Sequence, residues 1–184
     1  IIGQTGSGKS TLVDIISGLI PSFNGKYIVD NKEINFNKYS WKKKIGYVSQ
    51  NTFIFNDTIK FNISFDNGVK KSEILKVLDQ VESLKFVQKL HKSINTIVGE
   101  KAISLSGGQS QRLGIARSLF YKPDLLILDE AFSGIDDHTE TKIVKKIFNN
   151  YKNMTIINIA HKGKSLDYCN KIFKLSNKKL IRLK

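Results

Sequence analysis

The sequence lacks the features that mark several classes of protein. Its longest apolar run is the four residues at 125–128, far below the roughly 18 that a membrane-spanning helix needs. The single cysteine, Cys169, cannot form a disulfide within the chain, which favours a reducing compartment over secretion. Two prolines and thirteen glycines show no low-complexity bias. With 40% hydrophobic and 25% charged residues, collagen-like, coiled-coil and wholly disordered chains are excluded, and 184 residues fit one globular domain.

Arginine is also scarce, although the chain is strongly basic. Of its 30 basic residues 27 are lysines, and the formal net charge is +14. Arginine is the usual side chain for reading bases and gripping phosphates, so we do not expect a specific nucleic-acid partner. The charge favours a lysine-rich surface that reflects genome composition, with attraction to an anionic membrane or to nucleic acid as alternatives.

The start of the chain is unusual. There is no initiator methionine, and Ile1 and Ile2 lead directly into a glycine-rich loop. We therefore expect a fragment that begins within a buried strand.

Apolar periodicity predicts alternating strands and helices. Leu12, Ile15, Ile16 and Leu19 share one face of a helix that Pro21 and Gly25 would end. Further helices are predicted from Ile74 to Leu84, over 109–121 and from 143 to 151, and strands over 27–29, 45–49, 125–128 and 155–159, with a hairpin of 171–175 and 180–183. This order predicts an α/β fold with a mostly parallel sheet. We place its core at 1–50 and 116–184 and a helical subdomain at about 51–115.

A glycine loop lies between the first predicted strand and helix. It has a glycine, four residues, and then Gly8, Lys9 and Ser10, which is the P-loop pattern. Its backbone N–H groups can surround phosphate oxygens, Lys9 would bridge the terminal phosphates, and the Ser10 hydroxyl would ligate Mg²⁺. The structural alternative is a solvated glycine turn before a helix.

Two carboxylates follow the apolar strand at 125–128. Open α/β sheets bind ligands at the carboxyl ends of their strands, which is where Asp129 and Glu130 stand. One carboxylate can hold Mg²⁺, and the other can polarise an attacking water. Buried strands often end in acids, so this signal is specific only together with the P-loop.

The segment Leu105-Ser106-Gly107-Gly108-Gln109 opens the next predicted helix. Ser106 and the two glycine amides at a helix N-terminus can form an anion site, and a purely structural helix cap is the alternative. With these residues the chain resembles the nucleotide-binding domain of ABC (ATP-binding cassette) proteins. In that family the signature reaches across a dimer interface to ATP held by the partner's P-loop.

The resemblance implies a P-loop NTPase core with a helical signature subdomain, ATP and Mg²⁺ as cofactors, and ATP hydrolysis. It implies Glu130 as general base, with His161 as the switch histidine and Gln50 as the Q-loop glutamine. Metal contacts fall on Ser10, Gln50 and Asp129. Nucleotide contacts fall on Gly3, Gln4, Thr5, Gly6, Ser7, Gly8, Lys9, Ser10, Thr11, Ser106, Gly107, Gly108, Gln109 and Asp136.

Two parts of the family pattern differ here. Ser133-Gly134-Ile135-Asp136 resembles the D-loop, which usually reads Ser-Ala-Leu-Asp, and Asp137 with Glu140 could alternatively form a simple capping pair. The aromatic residue on which the family stacks adenine would precede Ile1. His91 and His138 match no landmark and are expected at the surface, and Cys169 is expected to be inert.

Two segments are similar to those of ABC exporters. One runs from Phe53 through Ile63, and the other, at 96–102, contains Val98-Gly99-Glu100 and resembles the loop that contacts coupling helices. A turn and an amphipathic helix are also compatible with these residues. We expect a domain that dimerises head to tail with a second nucleotide-binding domain and drives export or flipping through transmembrane domains, at the cytoplasmic face of the inner membrane.

Two other functions stay open. One is a soluble, non-transport ABC ATPase that acts on nucleic acid or ribosomes. The other is a regulatory nucleotide-binding module without turnover, which Glu130 and His161 argue against. The transported substrate would be set by membrane segments, so the sequence does not name it.

Overall fold

The computed structural model describes residues 1–20, 24–34, 39–160 and 163–184. Its helices are α1 (Lys9–Ser17), α2 (Tyr39–Lys42), α3 (Ile59–Ser64), α4 (Lys71–Gln80), α5 (Leu84–Lys89), α6 (Gly107–Phe120) and α7 (Asp137–Asn150), with 3₁₀ turns at Ser93–Asn95 and Lys164–Tyr168. Its strands are β1 (Ile28–Val29), β2 (Lys32–Glu33), β3 (Ile45–Val48), β4 (Asp57–Thr58), β5 (Ile97–Val98), β6 (Leu125–Asp129), β7 (Thr155–Ile159), β8 (Phe173–Ser176) and β9 (Lys179–Arg182).

A parallel three-stranded sheet lies at the centre, in the order β3-β6-β7. All five residues of β6 are buried. Its side chains alternate between two apolar clusters, with Ile127 packed beside Val13 and Trp41 on one face and Leu126 and Leu128 in a larger cluster on the other. A parallel sheet covered on both faces confirms the predicted α/β fold.

Helix α1 is shorter than the sequence predicts. It ends at Ser17, and Gly18 adopts the left-handed conformation (φ 75°) in which its N–H bonds to the carbonyls of Asp14 and Ile15. Glycine takes this conformation without strain, so it ends the helix before Pro21, which lies outside the described residues. Leu19 is therefore past the helix and 60% exposed, not part of its apolar face as predicted.

The region from 51 to 115 is mainly helical but contains one pair of strands. β4 and β5 pair antiparallel, with Asp57 opposite Val98 and Thr58 opposite Ile97. Helices α3 and α4 both pack on α6, which runs through the expected boundary at 115 and 116. The division into core and helical subdomain stays a prediction.

The end of the chain forms the predicted hairpin, displaced by one or two residues. β8 pairs antiparallel with β9, and Ile2 forms a parallel bridge with Lys174 of β8. His91 and His138 are exposed, as predicted. Burial raises the pKa of the Cys169 thiol, which disfavours the reactive thiolate.

Candidate functional site

The glycine loop turns tightly before α1. Gly6 and Gly8 have φ of 78° and 95°, values that favour glycine. At Gly3, whose φ is not in this region, a Cβ would lie 2.7 Å from the Leu175 carbonyl oxygen and 2.8 Å from Ser7 Oγ. Gly3 therefore has no room for a side chain, whereas Gly6 and Gly8 adopt a backbone conformation that other residues rarely take.

Lys9 is buried beneath this loop, with 6% of its surface exposed. Its ammonium group donates to the carbonyl oxygens of Gly3 and Gln4, at 2.9 Å each. The Ser7 hydroxyl is also buried and has no hydrogen-bond partner among the described residues. A buried cation and an unsatisfied hydroxyl at a helix N-terminus suit an anionic ligand.

Asp129 lies at the end of β6, with 7% of its surface exposed. It accepts hydrogen bonds from the Ser10 hydroxyl and, at 3.4 Å, from the Tyr47 hydroxyl. Burial raises the pKa of the Asp129 carboxyl, although both of these hydrogen bonds oppose that shift. Burial, together with the nearby Asp129 charge, raises the pKa of Tyr47 to about 12. No motif in the sequence points to Tyr47, whose contact with Asp129 follows from the pairing of β3 with β6.

Glu130 follows directly and has a left-handed backbone (φ 51°). Its N–H bonds to the Ile159 carbonyl at 3.0 Å, which attaches it to the end of β7. The Gln50 amide donates to Glu130 Oε2 at 2.9 Å. Because the carboxyl ends of parallel β3 and β6 meet, the structure joins the predicted Gln50 and Glu130. We call Ser10, Gln50, Asp129 and Glu130, with the glycine loop, the sheet edge.

The predicted signature forms the N-terminus of α6. Ser106 Oγ accepts from the Gln109 N–H at 3.3 Å, and Gln109 Oε1 accepts from the Ser106 N–H at 2.9 Å, which is a capping box. Ser106 and Gly107 are exposed, and a Cβ on Gly107 would meet nothing within 4 Å. We call residues 106–109 the α6 end. Among the described residues, no hydrogen bond joins the α6 end to the glycine loop.

A second glutamine, Gln111, lies one turn into α6 and is 7% exposed. Its amide nitrogen donates to Ser133 Oγ at 2.8 Å, and its oxygen accepts from the Gly134 N–H at 2.8 Å. Gln111 is not among the site residues that the motifs predict. Its position two residues after Gln109 in a buried helix was the only available signal.

Asp136 caps α7, since its carboxylate accepts from the Thr139 N–H at 3.0 Å. Hydrogen bonding with Thr139 lowers the pKa of Asp136. The alternative of a capping pair formed by Asp137 and Glu140 is wrong, because Asp136 holds the cap position. Glu140 instead accepts from the Ser165 N–H at 2.8 Å. His161 lies outside the described residues.

The two exporter-like segments lie together. The Asn56 side chain accepts from the Lys101 N–H at 2.9 Å, and a Cβ on Gly99 would lie 2.4 Å from the same oxygen, Asn56 Oδ1. Beside them the Arg117 guanidinium lies over the rings of Phe55 and Phe65, at 5.7 Å and 5.2 Å from the centroids. Phe53, Phe55 and Phe65 are 64%, 39% and 48% exposed. We call Phe53, Phe55, Phe65 and Arg117 the aromatic surface.

Two kinds of feature are absent from the described part of the chain. No helix there is both long and apolar enough to cross a bilayer. Nor do three or more His, Cys, Asp or Glu side chains gather there in a group that could hold a metal ion.

Several known proteins are similar to this chain in sequence. The chain is 40% identical to a protein of Rickettsia typhi named for a suggested role as an export ATP-binding/permease protein, over 98% of this chain and 32% of that protein. It is 33% identical to the ATP-dependent lipid A-core flippase of Photobacterium profundum, again over 98% of this chain and 32% of the flippase. The chain thus spans about a third of the length of these relatives.

A solved structure agrees with the sequence comparison. The structure of a bacterial Atm1-family ABC exporter with ATP bound superposes with a TM-score of 0.90 and 31% identity, over 98% of this chain and 32% of that one. The family model for ABC transporters matches residues 1–133, which include the glycine loop, the α6 end and both carboxylates of the sheet edge. The chain belongs to the ABC transporter family.

Proposed function

We propose that this chain binds and hydrolyses ATP and thereby powers export or flipping by an ABC transporter. One observation carries the proposal. The Ser10 hydroxyl of the glycine loop bonds to Asp129, while Gln50 bonds to the adjacent Glu130, so the loop and both carboxylates meet at one edge of the sheet. That arrangement suits phosphoryl transfer to water, which needs positioned cations and a base rather than a covalent intermediate.

The residues of the loop fit a nucleotide's phosphates. The Lys9 ammonium group donates hydrogen bonds to the Gly3 and Gln4 carbonyl oxygens. Phosphate oxygens are stronger acceptors for a lysine than neutral carbonyls, so a bound phosphate would compete for these hydrogens. The Ser7 hydroxyl, buried without a partner among the described residues, would gain one. The other contacts with the nucleotide bound by this chain's own loop would fall on residues 3–11.

The residues of the sheet edge also fit Mg²⁺. Mg²⁺ takes oxygen ligands, commonly one or two carboxylates together with waters and substrate phosphates, so a cluster of three carboxylates is not required. Ser10, Gln50 and Asp129 supply a hydroxyl, an amide and a carboxylate, and they would hold the ion. When bound, Mg²⁺ neutralises charge that develops on the phosphates.

Glu130 would act as general base. It would accept a proton from the attacking water, while Gln50, 2.9 Å from its carboxylate, would orient that water. The carboxylate is partly exposed, and its backbone is attached to β7 through the Ile159 carbonyl, so its position depends on the sheet. The family role of His161 as its partner stays a prediction.

The α6 end would serve a second nucleotide-binding domain. Ser106 and Gly107 are exposed, and their hydrogen bonds remain within their own helix. An ordered but open helix N-terminus is suited to contact a phosphate presented by another subunit. Head-to-tail pairing would place Ser106, Gly107, Gly108, Gln109 and Asp136 against ATP held by the partner's loop.

Transmembrane domains would dock on the aromatic surface and the adjacent Gly99-Glu100 turn. Exposed aromatic rings around an arginine are typical of protein interfaces. Such docking would hold the domain at the cytoplasmic face of the inner membrane. We propose no specific nucleic-acid partner.

ATP hydrolysis by the full polypeptide that contains this chain, purified from membranes, tests the proposal. Glu130→Gln keeps the shape of the side chain but removes the base, so turnover should fall about 100- to 10,000-fold while ATP affinity is retained. Glu73→Gln, the same change at an exposed residue in the first turn of α4, is the matched control and should behave as wild type. Wild-type turnover of Glu130→Gln would refute the assignment of the base. Recovery of the active polypeptide without any membrane domain or membrane partner would favour the soluble ATPase instead.

A further inference from the structure

A buried amide links the α6 end to the loop that follows the sheet edge. Gln111 uses both atoms of its amide, donating to Ser133 Oγ and accepting from the Gly134 N–H, each at 2.8 Å. Two hydrogen bonds of opposite direction fix the orientation of the amide, since reversing it would place donor against donor. The loop from 130 to 136 is thus held against α6.

The backbones of the two segments also touch directly. A Cβ on Gly108 would lie 2.6 Å from the Gly134 carbonyl oxygen, so only glycine allows this approach. On the other side of the contact, a Cβ on Gly134 would lie 2.9 Å from Gln111 Oε1. The loop therefore lies on the first turn of α6, where Gly108 belongs to the predicted signature.

The same loop is closed back onto Glu130. The Ser133 N–H donates to the Glu130 carbonyl at 3.1 Å, and the Ile135 N–H donates to the Phe132 carbonyl at 3.0 Å. A short series of hydrogen bonds consequently runs from the Glu130 backbone through Ser133 to the Gln111 amide. Every residue in it lies in the described part of the chain.

We propose that Gln111 is a positioning residue that sets the α6 end relative to Glu130. The inference rests on the proposed function, in which Glu130 acts on the nucleotide of its own chain and the α6 end acts on the partner's nucleotide. Gln111 contacts neither nucleotide. It determines whether the two surfaces of one chain fit both sites of the dimer at once.

A purely structural role predicts different kinetics from a positioning role. Gln80 provides the matched control, since it is 6% exposed and its Oε1 accepts from the Tyr151 hydroxyl at 2.6 Å. This second buried glutamine also links two elements, but the bond involves no residue of the sheet edge or the α6 end. Gln111→Leu and Gln80→Leu remove the same chemical group at similar burial.

The experiment measures melting temperature, KM for ATP and kcat of both variants in the full polypeptide. Both should lose thermal stability, but only Gln111→Leu should lower kcat, by about tenfold or more, because a misplacement of about 1 Å costs up to about 100-fold. KM for ATP should stay within about twofold of wild type, since the variant leaves the glycine loop intact. Equal kcat for the two variants would overturn the proposal.

Ser133→Ala keeps the test decisive if Gln111→Leu does not fold. Ser133 is exposed, so its truncation should be tolerated, and it removes only the Ser133 partner of the amide. We expect a smaller fall in kcat from this variant and, where Gln111→Leu is measurable, no additional fall in the double variant. Unchanged kcat for Ser133→Ala, or equal effects of that change in both backgrounds, would contradict the role of the link. Failure of wild-type hydrolysis, or wild-type turnover by Glu130→Gln, would instead refute the proposed function.

Discussion

The sheet edge and the α6 end both contain proposed functional groups, but these groups differ in burial and in hydrogen bonding. At the sheet edge Lys9 and Asp129 are buried and bonded to other parts of the site. At the α6 end Ser106 and Gly107 are exposed, and the capping box satisfies only their own helix. Buried, mutually bonded groups are positioned by the fold of one chain, whereas exposed groups are free to contact a partner. In the proposed dimer, one half of the active site would therefore be complete before dimerisation and the other half would not.

The largest effect on ATP binding is expected from removing the cation of the sheet edge. Lys9→Ala should weaken ATP binding by about 10- to 100-fold, since hydrogen bonds to charged groups contribute about 1.5–3 kcal/mol. Binding of a fluorescent ATP analogue measures the change. Lys60→Ala is the matched control, because Lys60 also donates to a backbone carbonyl, that of Asn67, but lies in α3. Equal affinities of Lys9→Ala and wild type for ATP would refute the assignment of residues 3–10 as a P-loop.

A bulky substitution at the α6 end should leave ATP binding unchanged but prevent assembly. Ser106→Arg places a long side chain on an exposed position that a partner would cover, so monomers should bind ATP and fail to dimerise. Light scattering with and without ATP in the Glu130→Gln background, where hydrolysis is blocked, separates the two steps.

The control for Ser106→Arg is Ser106→Ala, which loses the helix cap, at a cost of about 1 kcal/mol, without adding bulk. It should still dimerise. If both variants fail to dimerise, the capping box rather than the exposed surface is responsible. If Ser106→Arg dimerises, the α6 end does not lie in the interface.

In both regions the secondary-structure elements were predictable from the sequence, but the contacts between elements were not. Local signals predicted the elements that carry both of them, since four apolar residues marked β6 and the serine with two glycines marked the start of α6. The contacts between elements had no such signal. Gln111 and Ser133 are 22 residues apart, and Tyr47 and Asp129 are 82 apart, so only the packed fold brings them together. β4 and β5, with two residues each, are too short to show an alternating pattern.

The smallest effect is expected on the free energy of unfolding, which the buried Asp129 carboxylate of the sheet edge lowers. Burial, with smaller repulsion from Glu130 and Asp14, raises the pKa of Asp129 against the hydrogen bonds from Ser10 and Tyr47. The folded state therefore favours the protonated carboxyl, so the contribution of Asp129 to stability is lost as pH rises through this raised pKa. Asp129→Asn removes the charge and keeps the shape. It should raise the free energy of unfolding at neutral pH, while impairing Mg²⁺-dependent hydrolysis.

Chemical denaturation across a pH series checks this prediction, with Asp136→Asn as a comparison that should change the free energy of unfolding in the opposite direction. The pKa of Asp136 is lowered by its hydrogen bonds with Thr139, so its contribution is present at neutral pH and lost as pH falls through the lowered pKa. Asp136→Asn should therefore destabilise the protein at neutral pH, and both variants should approach wild type near pH 3, where more of the carboxyls are protonated. An Asp129→Asn variant that is less stable than wild type at neutral pH would mean that the bonds from Ser10 and Tyr47 outweigh burial. In that case the Asp129 carboxylate would stabilise the folded protein at neutral pH, as Asp136 does, despite its burial.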